Sequence, residues 1–241
     1  MERTERVKEL FENTSLYLTY DYNLQIRQET VDTFTGNRKF KSTLDMPCGN
    51  GAISVPLIHK TEKLTLLDIS ENMIKLAESS ISENNKSKVT LINGDFFEQK
   101  FKANSFDLVI CLGLLAHVNS PKQLLDELSN IIEPGGMLII QNTNSNHFYS
   151  HLIRVYLFLK NIIKKQPYTL NKVSASFLES TLANNGFELK QVYRYNQSFL
   201  GLSNFFSNTK KYKLTRWFFG TADSNKHAAW GSDYTYSFIK K

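Results

Sequence analysis

Two carboxylates and a pair of glycines are spaced for chemistry in this chain. Asp45 lies in Leu44-Asp45-Met46-Pro47-Cys48, Gly49 and Gly51 follow with Asn50 between them, and Asp68 closes a second apolar run, Leu64-Thr65-Leu66-Leu67. Glycine lets backbone approach a ligand and take conformations closed to other residues. An acid at the end of the next strand accepts ribose hydroxyls, so the pattern is that of a doubly wound α/β domain holding a nucleoside. Asp68 also reads as a helix cap, since Asp68-Ile69-Ser70-Glu71-Asn72 precedes an apolar-periodic segment. A dinucleotide would call for a third glycine where this chain has Ser54, so closure around a pyrophosphate is not supported.

Three further stretches follow in order. Val89-Thr90-Leu91-Ile92-Asn93-Gly94-Asp95-Phe96 is a short apolar strand ending on an acid and an aromatic. Phe106-Asp107-Leu108-Val109-Ile110-Cys111-Leu112-Gly113 is apolar from Leu108 to Leu112, as a strand buried on both faces must be. Glu133-Pro134-Gly135-Gly136-Met137-Leu138-Ile139-Ile140 joins a helix end to another strand. From Leu44 to Gln141 these motifs resemble the class I S-adenosylmethionine-dependent methyltransferases of the small-molecule type, with Pro47 standing where that family's first motif usually has a glycine.

Alternating strand and helix signals set the expected frame: strands at 42–47, 63–68, 88–92, 106–112 and 136–142, with helices at 51–59, 71–83 and 121–132. Helical periodicity before residue 40 predicts an N-terminal cover broken near Tyr17-Leu18-Thr19-Tyr20-Asp21-Tyr22. After the fifth strand, helices are expected at 147–166 and 171–185, strands at 187–192 and 234–239, and irregular chain over 197–232. The expected division is a helical cover over 1–40 and a Rossmann-like domain over 41–241, with lid insertions around 145–170 and 197–232. The resemblance implies a seven-stranded, mostly parallel sheet with an antiparallel last strand and a helical insertion after strand five.

It also implies the cofactor, S-adenosylmethionine, with S-adenosylhomocysteine as product. Gly49 and Gly51 would approach its methionine end, and Asp45 would hold the loop, with Asn50, or the amino group. Asp68 would take the ribose and Ile69 would cover the adenine, with Met73 one turn further on. Asp95 and Phe96 would close the adenine end, and a carbonyl of Cys111 or Leu112 would meet the amino group. Arg27, with Tyr17 and Tyr22, is the candidate set for the cofactor's carboxylate, or else a surface arginine beside packing tyrosines. His117, after the fourth strand, is the candidate general base, or a histidine that shapes the pocket without titrating.

Composition narrows the partners. With 41% hydrophobic and 22% charged residues, the chain has an ordinary globular balance. The charged start Met1-Glu2-Arg3-Thr4-Glu5-Arg6 has no apolar leader core, which makes the cytoplasm the expected location. Cys48 and Cys111 are then free thiols, and His147 and His151 lack a third partner at metal-ligand spacing. Aromatics concentrated after residue 147 suggest an oxygen or nitrogen acceptor on a small hydrophobic or aromatic molecule. Interleaved cations such as Lys164, Lys165, Lys210 and Lys213 suit an anionic acceptor or peripheral membrane contact, and equally a solvated basic face on a chain of net charge +6. Nucleic acid ranks below a small molecule, because Cys111-Leu112-Gly113-Leu114 lacks the Pro-Pro run that holds a flipped base in related base methyltransferases. Protein methylation and non-catalytic cofactor binding are the remaining alternatives.

Overall fold

In the computed structural model, residues 3–12, 21–160, 170–197 and 206–241 are described. Seven strands form one sheet: β1 (Phe40–Asp45), β2 (Thr61–Asp68), β3 (Val89–Asn93), β4 (Phe106–Cys111), β5 (Ile132–Thr143), β6 (Phe187–Tyr195) and β7 (Asp233–Lys240). Their order is β3-β2-β1-β4-β5-β7-β6. The first five pair in parallel, and β7 inserts antiparallel between β5 and β6. The expected class I topology is therefore present. The helices are α1 (Arg3–Glu12), α2 (Asp21–Thr35), α3 (Glu71–Ser80), α4 (Pro121–Ile131), α5 (Phe148–Lys160), α6 (Ala175–Asn184) and α7 (Asn208–Phe219).

The continuous apolar runs arise because both faces of the sheet are covered. Along β4 and β5, Val109, Cys111, Leu138 and Ile140 pack with Leu124, Leu128, Leu178 and Leu182 of α4 and α6. The alternate residues Leu108, Ile110, Met137 and Ile139 pack with Ile26, Val31 and Phe34 of α2 and Phe219 of α7. Side chains alternate along a strand, so a central strand needs apolar residues at every position.

Serine caps fix where the helices begin. Ser70, Ser120, Ser174 and Ser207 each accept a backbone N–H three residues on with their side-chain oxygen, an arrangement worth about 1 kcal/mol apiece.

Three expectations change. The helix expected at 51–59 is a run of turns followed by a short 3-10 segment, Val55–Lys60 with Pro56 in its first turn. Proline removes a backbone donor, and a left-handed Gly51 (φ +76°) keeps a longer helix from starting at the turn. The helix expected over 71–83 stops at Ser80, where Ile81 becomes extended. The segment expected to be irregular over 197–232 contains the twelve-residue α7, started by Ser207 and ended by Gly220 at φ +72°. Both end signals are readable in the sequence, but the aromatic density between them obscured the helical period. The break near Tyr17 and the end of the helix expected at 147–166 lie outside the described residues.

Candidate active site

The turn after β1 is tied to the strands on either side. Met46 N–H donates to the Ile110 carbonyl at 2.9 Å, and Cys48 N–H donates to the Leu67 carbonyl at 2.9 Å. Asp68, at the end of β2, bridges the two strand ends. Its Oδ2 accepts the Gly49 N–H at 2.8 Å and its Oδ1 accepts the Ser70 N–H at 2.9 Å. Burial raises the Asp68 pKa, against the lowering effect of those N–H donors. Each oxygen keeps a lone pair for a further donor.

The two glycines do different work. Gly49 (φ +54°) lines a cavity and gives its N–H to Asp68. A Cβ on Gly51 would lie 2.8 Å from Val55 Cγ2 and 3.4 Å from Ala77 Cβ, so Gly51 lets the turn pack closely on α3. Asp45 sits beneath the turn, with its Oδ2 accepting the Ser54 hydroxyl at 2.5 Å. Burial, opposed by that bond and aided by the Asp68 charge, pushes Asp45 up to about 7 from 3.8.

Two adjoining cavities open above these strand ends. The larger, about 210 Å³, is lined by Gly49, Asp68, Met73, Leu112, Gly113 and Arg27. The smaller, about 70 Å³, is lined by Gly94, Asp95, Phe96 and Phe97. Val7, Pro47, Ile69, Leu114 and His117 belong to both.

Helix α1 closes this space from above with Val7 and Phe11. Its last residue, Glu12, caps α3. The Glu12 carboxylate accepts N–H bonds from Glu71 at 3.1 Å and Asn72 at 3.3 Å, and the Ser70 hydroxyl at 3.1 Å. A carboxylate suits that place because the helix start carries free N–H groups and partial positive charge. Glu12 escaped sequence reasoning, since nothing in its local pattern ties it to residue 71.

Arg27 reaches the larger cavity from α2, beside Gly113. A Cβ on Gly113 would come within 3.6 Å of Arg27 Nη2. Arg27 Nη2 donates to Gln197 Oε1 at 3.3 Å, while its Nε is buried without a partner. An orphaned guanidinium N–H beside a cavity fits an anionic group of a ligand.

His117 ends a turn in which its N–H donates to the Leu114 carbonyl at 2.8 Å, and its ring meets Phe11 edge-on at 5.3 Å. Asn171 holds that turn in place. Its Nδ2 donates to the Val118 and Leu115 carbonyls at 2.6 and 3.1 Å, and its N–H donates to the Ala116 carbonyl at 2.9 Å. Asn171 was expected inside a helix, but α6 begins at Ala175 and leaves Asn171 outside regular secondary structure.

Of the other expected site residues, Ile69, Met73, Asp95, Phe96 and Leu112 line the cavities. Asp45, Asn50, Gly51, Tyr22 and Cys111 are not part of either wall. Asn50 turns its carbonyl oxygen back to the Ala52 N–H at 3.3 Å. Tyr22 is buried in the core, and its hydroxyl donates to the Gln197 carbonyl. The Cys111 side chain packs in the core, and both cysteines are free thiols. Tyr17 lies outside the described residues. His147 Nε2 faces the Ala229 carbonyl at 2.9 Å, and His151 Nδ1 meets Arg154 at 2.6 Å. Among the described residues, no helix is long and apolar enough to cross a membrane.

The chain matches a methyltransferase domain model over residues 37–200. It is 27% identical over 173 residues to a demethylmenaquinone methyltransferase of Oceanobacillus iheyensis, covering 67% of this chain and 71% of that one. It is 26% identical over 155 residues to a ubiquinone biosynthesis O-methyltransferase of Hydrogenovibrio crunogenus, covering 63% of this chain and 64% of that one. The second match thus spans less than two thirds of its relative's length. A structure of an S-adenosylmethionine-dependent methyltransferase of Thermotoga maritima overlays all of both chains with a TM-score of 0.68 at 18% identity, a likeness of fold. The strand order, the turn anchored on Asp68 and the domain match converge, and the chain belongs to the methyltransferase domain family as a class I, S-adenosylmethionine-dependent enzyme.

Proposed function

We propose that the enzyme methylates an oxygen or nitrogen of a small aromatic acceptor of the quinone type. One observation carries the reading: His117, the only histidine in either wall among the described residues, stands where the two cavities meet. Both curated relatives bear quinone names, which supports the acceptor class. Phe148 and Trp230 add support. They meet edge to face at 5.3 Å beyond the end of β5 and remain 45% and 55% exposed, ready to cover an apolar ring.

When bound, S-adenosylmethionine supplies a methyl carbon already activated by a positive sulfur. The residues of the chain then have to hold, align and exclude water. Arg27 would hold the cofactor's carboxylate with its guanidinium, whose Nε–H has no partner. Asp68 would accept the ribose hydroxyls on its free lone pairs. Ile69 and Phe96 would pack on the adenine, Asp95 would accept its amino group, and Met73 would line the ribose side. The carbonyl of Cys111 or Leu112 would meet the cofactor's amino group. Asp45, Asn50 and Gly51 would act on the turn. His117 would take the proton from the acceptor as its oxygen or nitrogen is methylated.

The test supplies labelled methyl donor with a panel of hydroxylated quinone precursors, and separately with RNA and protein from the native cell. Label in the organic extract is expected. Label confined to RNA or protein refutes the acceptor class.

A further inference from the structure

Gln197 sits just beyond β6, far in sequence from most of the cavity wall, yet its two oxygens both accept from α2. Its carbonyl accepts the Tyr22 hydroxyl and the Asn23 amide, the latter at 3.3 Å. Its side-chain oxygen accepts Arg27 Nη2 at 3.3 Å. Its own N–H donates to Asp233 Oδ2 at 2.8 Å. Asp233 opens β7, is 5% exposed, and takes the Thr143 hydroxyl on its other oxygen at 2.5 Å. Burial raises the Asp233 pKa, while Thr143, Gln197 and the positive charge of Arg27 pull it back. Tyr195, fully buried, accepts from Gln141 Nε2 at 3.1 Å and also feels the Arg27 charge.

A buried carboxylate is costly unless it is bonded and faces a cation. Asp233 accepts from Thr143 and Gln197, and its cation is Arg27. A flexible arginine reaching a cavity wall would otherwise sample many rotamers. Held from behind through Gln197, it keeps one orientation beside Gly113, at the cavity wall.

We propose that Gln197 and Asp233 are positioning residues that fix Arg27 for the carboxylate of the cofactor. The antiparallel end of the sheet thereby sets affinity for the amino-acid half of the ligand. The proposal rests on the assignment of Arg27 to that carboxylate.

Calorimetric titration with S-adenosylhomocysteine and with 5′-methylthioadenosine, which has the same adenosyl thioether and no amino-acid group, tests it. Gln197→Ala and Asp233→Asn are each expected to weaken S-adenosylhomocysteine about 5- to 20-fold and to leave methylthioadenosine within about twofold. The double variant Arg27→Ala/Gln197→Ala should bind no more weakly than Arg27→Ala alone. Equal loss for both ligands means that the pair only supports the fold, and the proposal fails. Fully additive losses in the double variant also overturn it, as does unchanged affinity in Gln197→Ala when Arg27→Ala is weakened. If Arg27→Ala itself binds S-adenosylhomocysteine like wild type, the carboxylate assignment falls, and the positioning role with it. Should Asp233→Asn fail to fold, Gln197→Ala decides alone, because its half-buried amide oxygen has Arg27 as its partner.

Discussion

The two ends of the sheet build their share of the site in different ways. At the parallel end, β1, β2 and β4 stop side by side, and backbone N–H groups from the turns after β1 and β2 meet one carboxylate, Asp68. At the antiparallel end, the Asp233 carboxylate of β7 takes the Thr143 hydroxyl of β5 and the backbone N–H of Gln197 just beyond β6, partners 90 and 36 positions away in sequence. The first arrangement is a local strand–turn–helix device repeated along the chain. The second exists only after the last strand has inserted. Each end therefore has its own vulnerability: chemistry and cofactor contacts at the parallel end, backbone packing and orientation at the other.

The largest contrast is expected from chemistry. His117→Ala should lower kcat by about 10²- to 10⁴-fold, with S-adenosylhomocysteine affinity little changed in the same preparation. Turnover that survives intact would leave alignment as the main device and remove His117 from the proton path.

Glycine substitutions compare the packing at the two ends. At Gly231 a Cβ would lie 2.5 Å from Tyr195 N and 2.6 Å from Arg194 C, backbone atoms that cannot step aside. Gly231→Ala should cost roughly 3 kcal/mol or more in denaturant unfolding. Gly51→Ala meets a side chain, Val55, rather than backbone, together with a positive φ, and should cost about 1–2 kcal/mol. The reverse ranking would mean that the turn, not the antiparallel end, is the tighter of the two.

Asp68→Ala should weaken cofactor binding by about 1–3 kcal/mol, seen as a 5- to 150-fold rise in Kd by titration. An unchanged Kd would reject the ribose role.

The smallest effect is a slope with pH. Burial raises Asp45 to about 7 in the folded state from 3.8, so between those values the folded chain holds a proton that the unfolded chain releases. The stability that Asp45 contributes is complete below pH ~4 and declines as pH climbs through about 7. Asp45→Asn should flatten that decline in unfolding midpoints measured from pH 4.5 to 7.5. An identical slope in wild type and variant would show that Asp45 does not carry it.

The same contrast explains what could be read from residues alone. Gly49, Asp68, Ile69, Asp95 and Phe96, which line the two cavities, were legible because walls built from strand ends and turns leave their trace in contiguous motifs. The strands themselves were legible as apolar runs of strand length separated by helix starts, while their number and the antiparallel last strand came from the family resemblance. Gly51 was read as a ligand-approach glycine, and only its distance to Val55 and Ala77 shows a packing role. Tyr22 was placed near the ligand, whereas its hydroxyl anchors α2 on the Gln197 carbonyl. Glu12, Asn171, Gln197 and Asp233 were missed together. Each acts through partners 36 or more positions away, and Asn, Gln, Asp and Glu at exposed-looking places are too common to signal such pairing.

A crystal of the protein soaked with S-adenosylhomocysteine tests the central claim most directly. The account predicts adenosine across both cavities, ribose hydroxyls on Asp68 and the carboxylate at Arg27. Density for the ligand elsewhere, or a ribose turned away from Asp68, would contradict it.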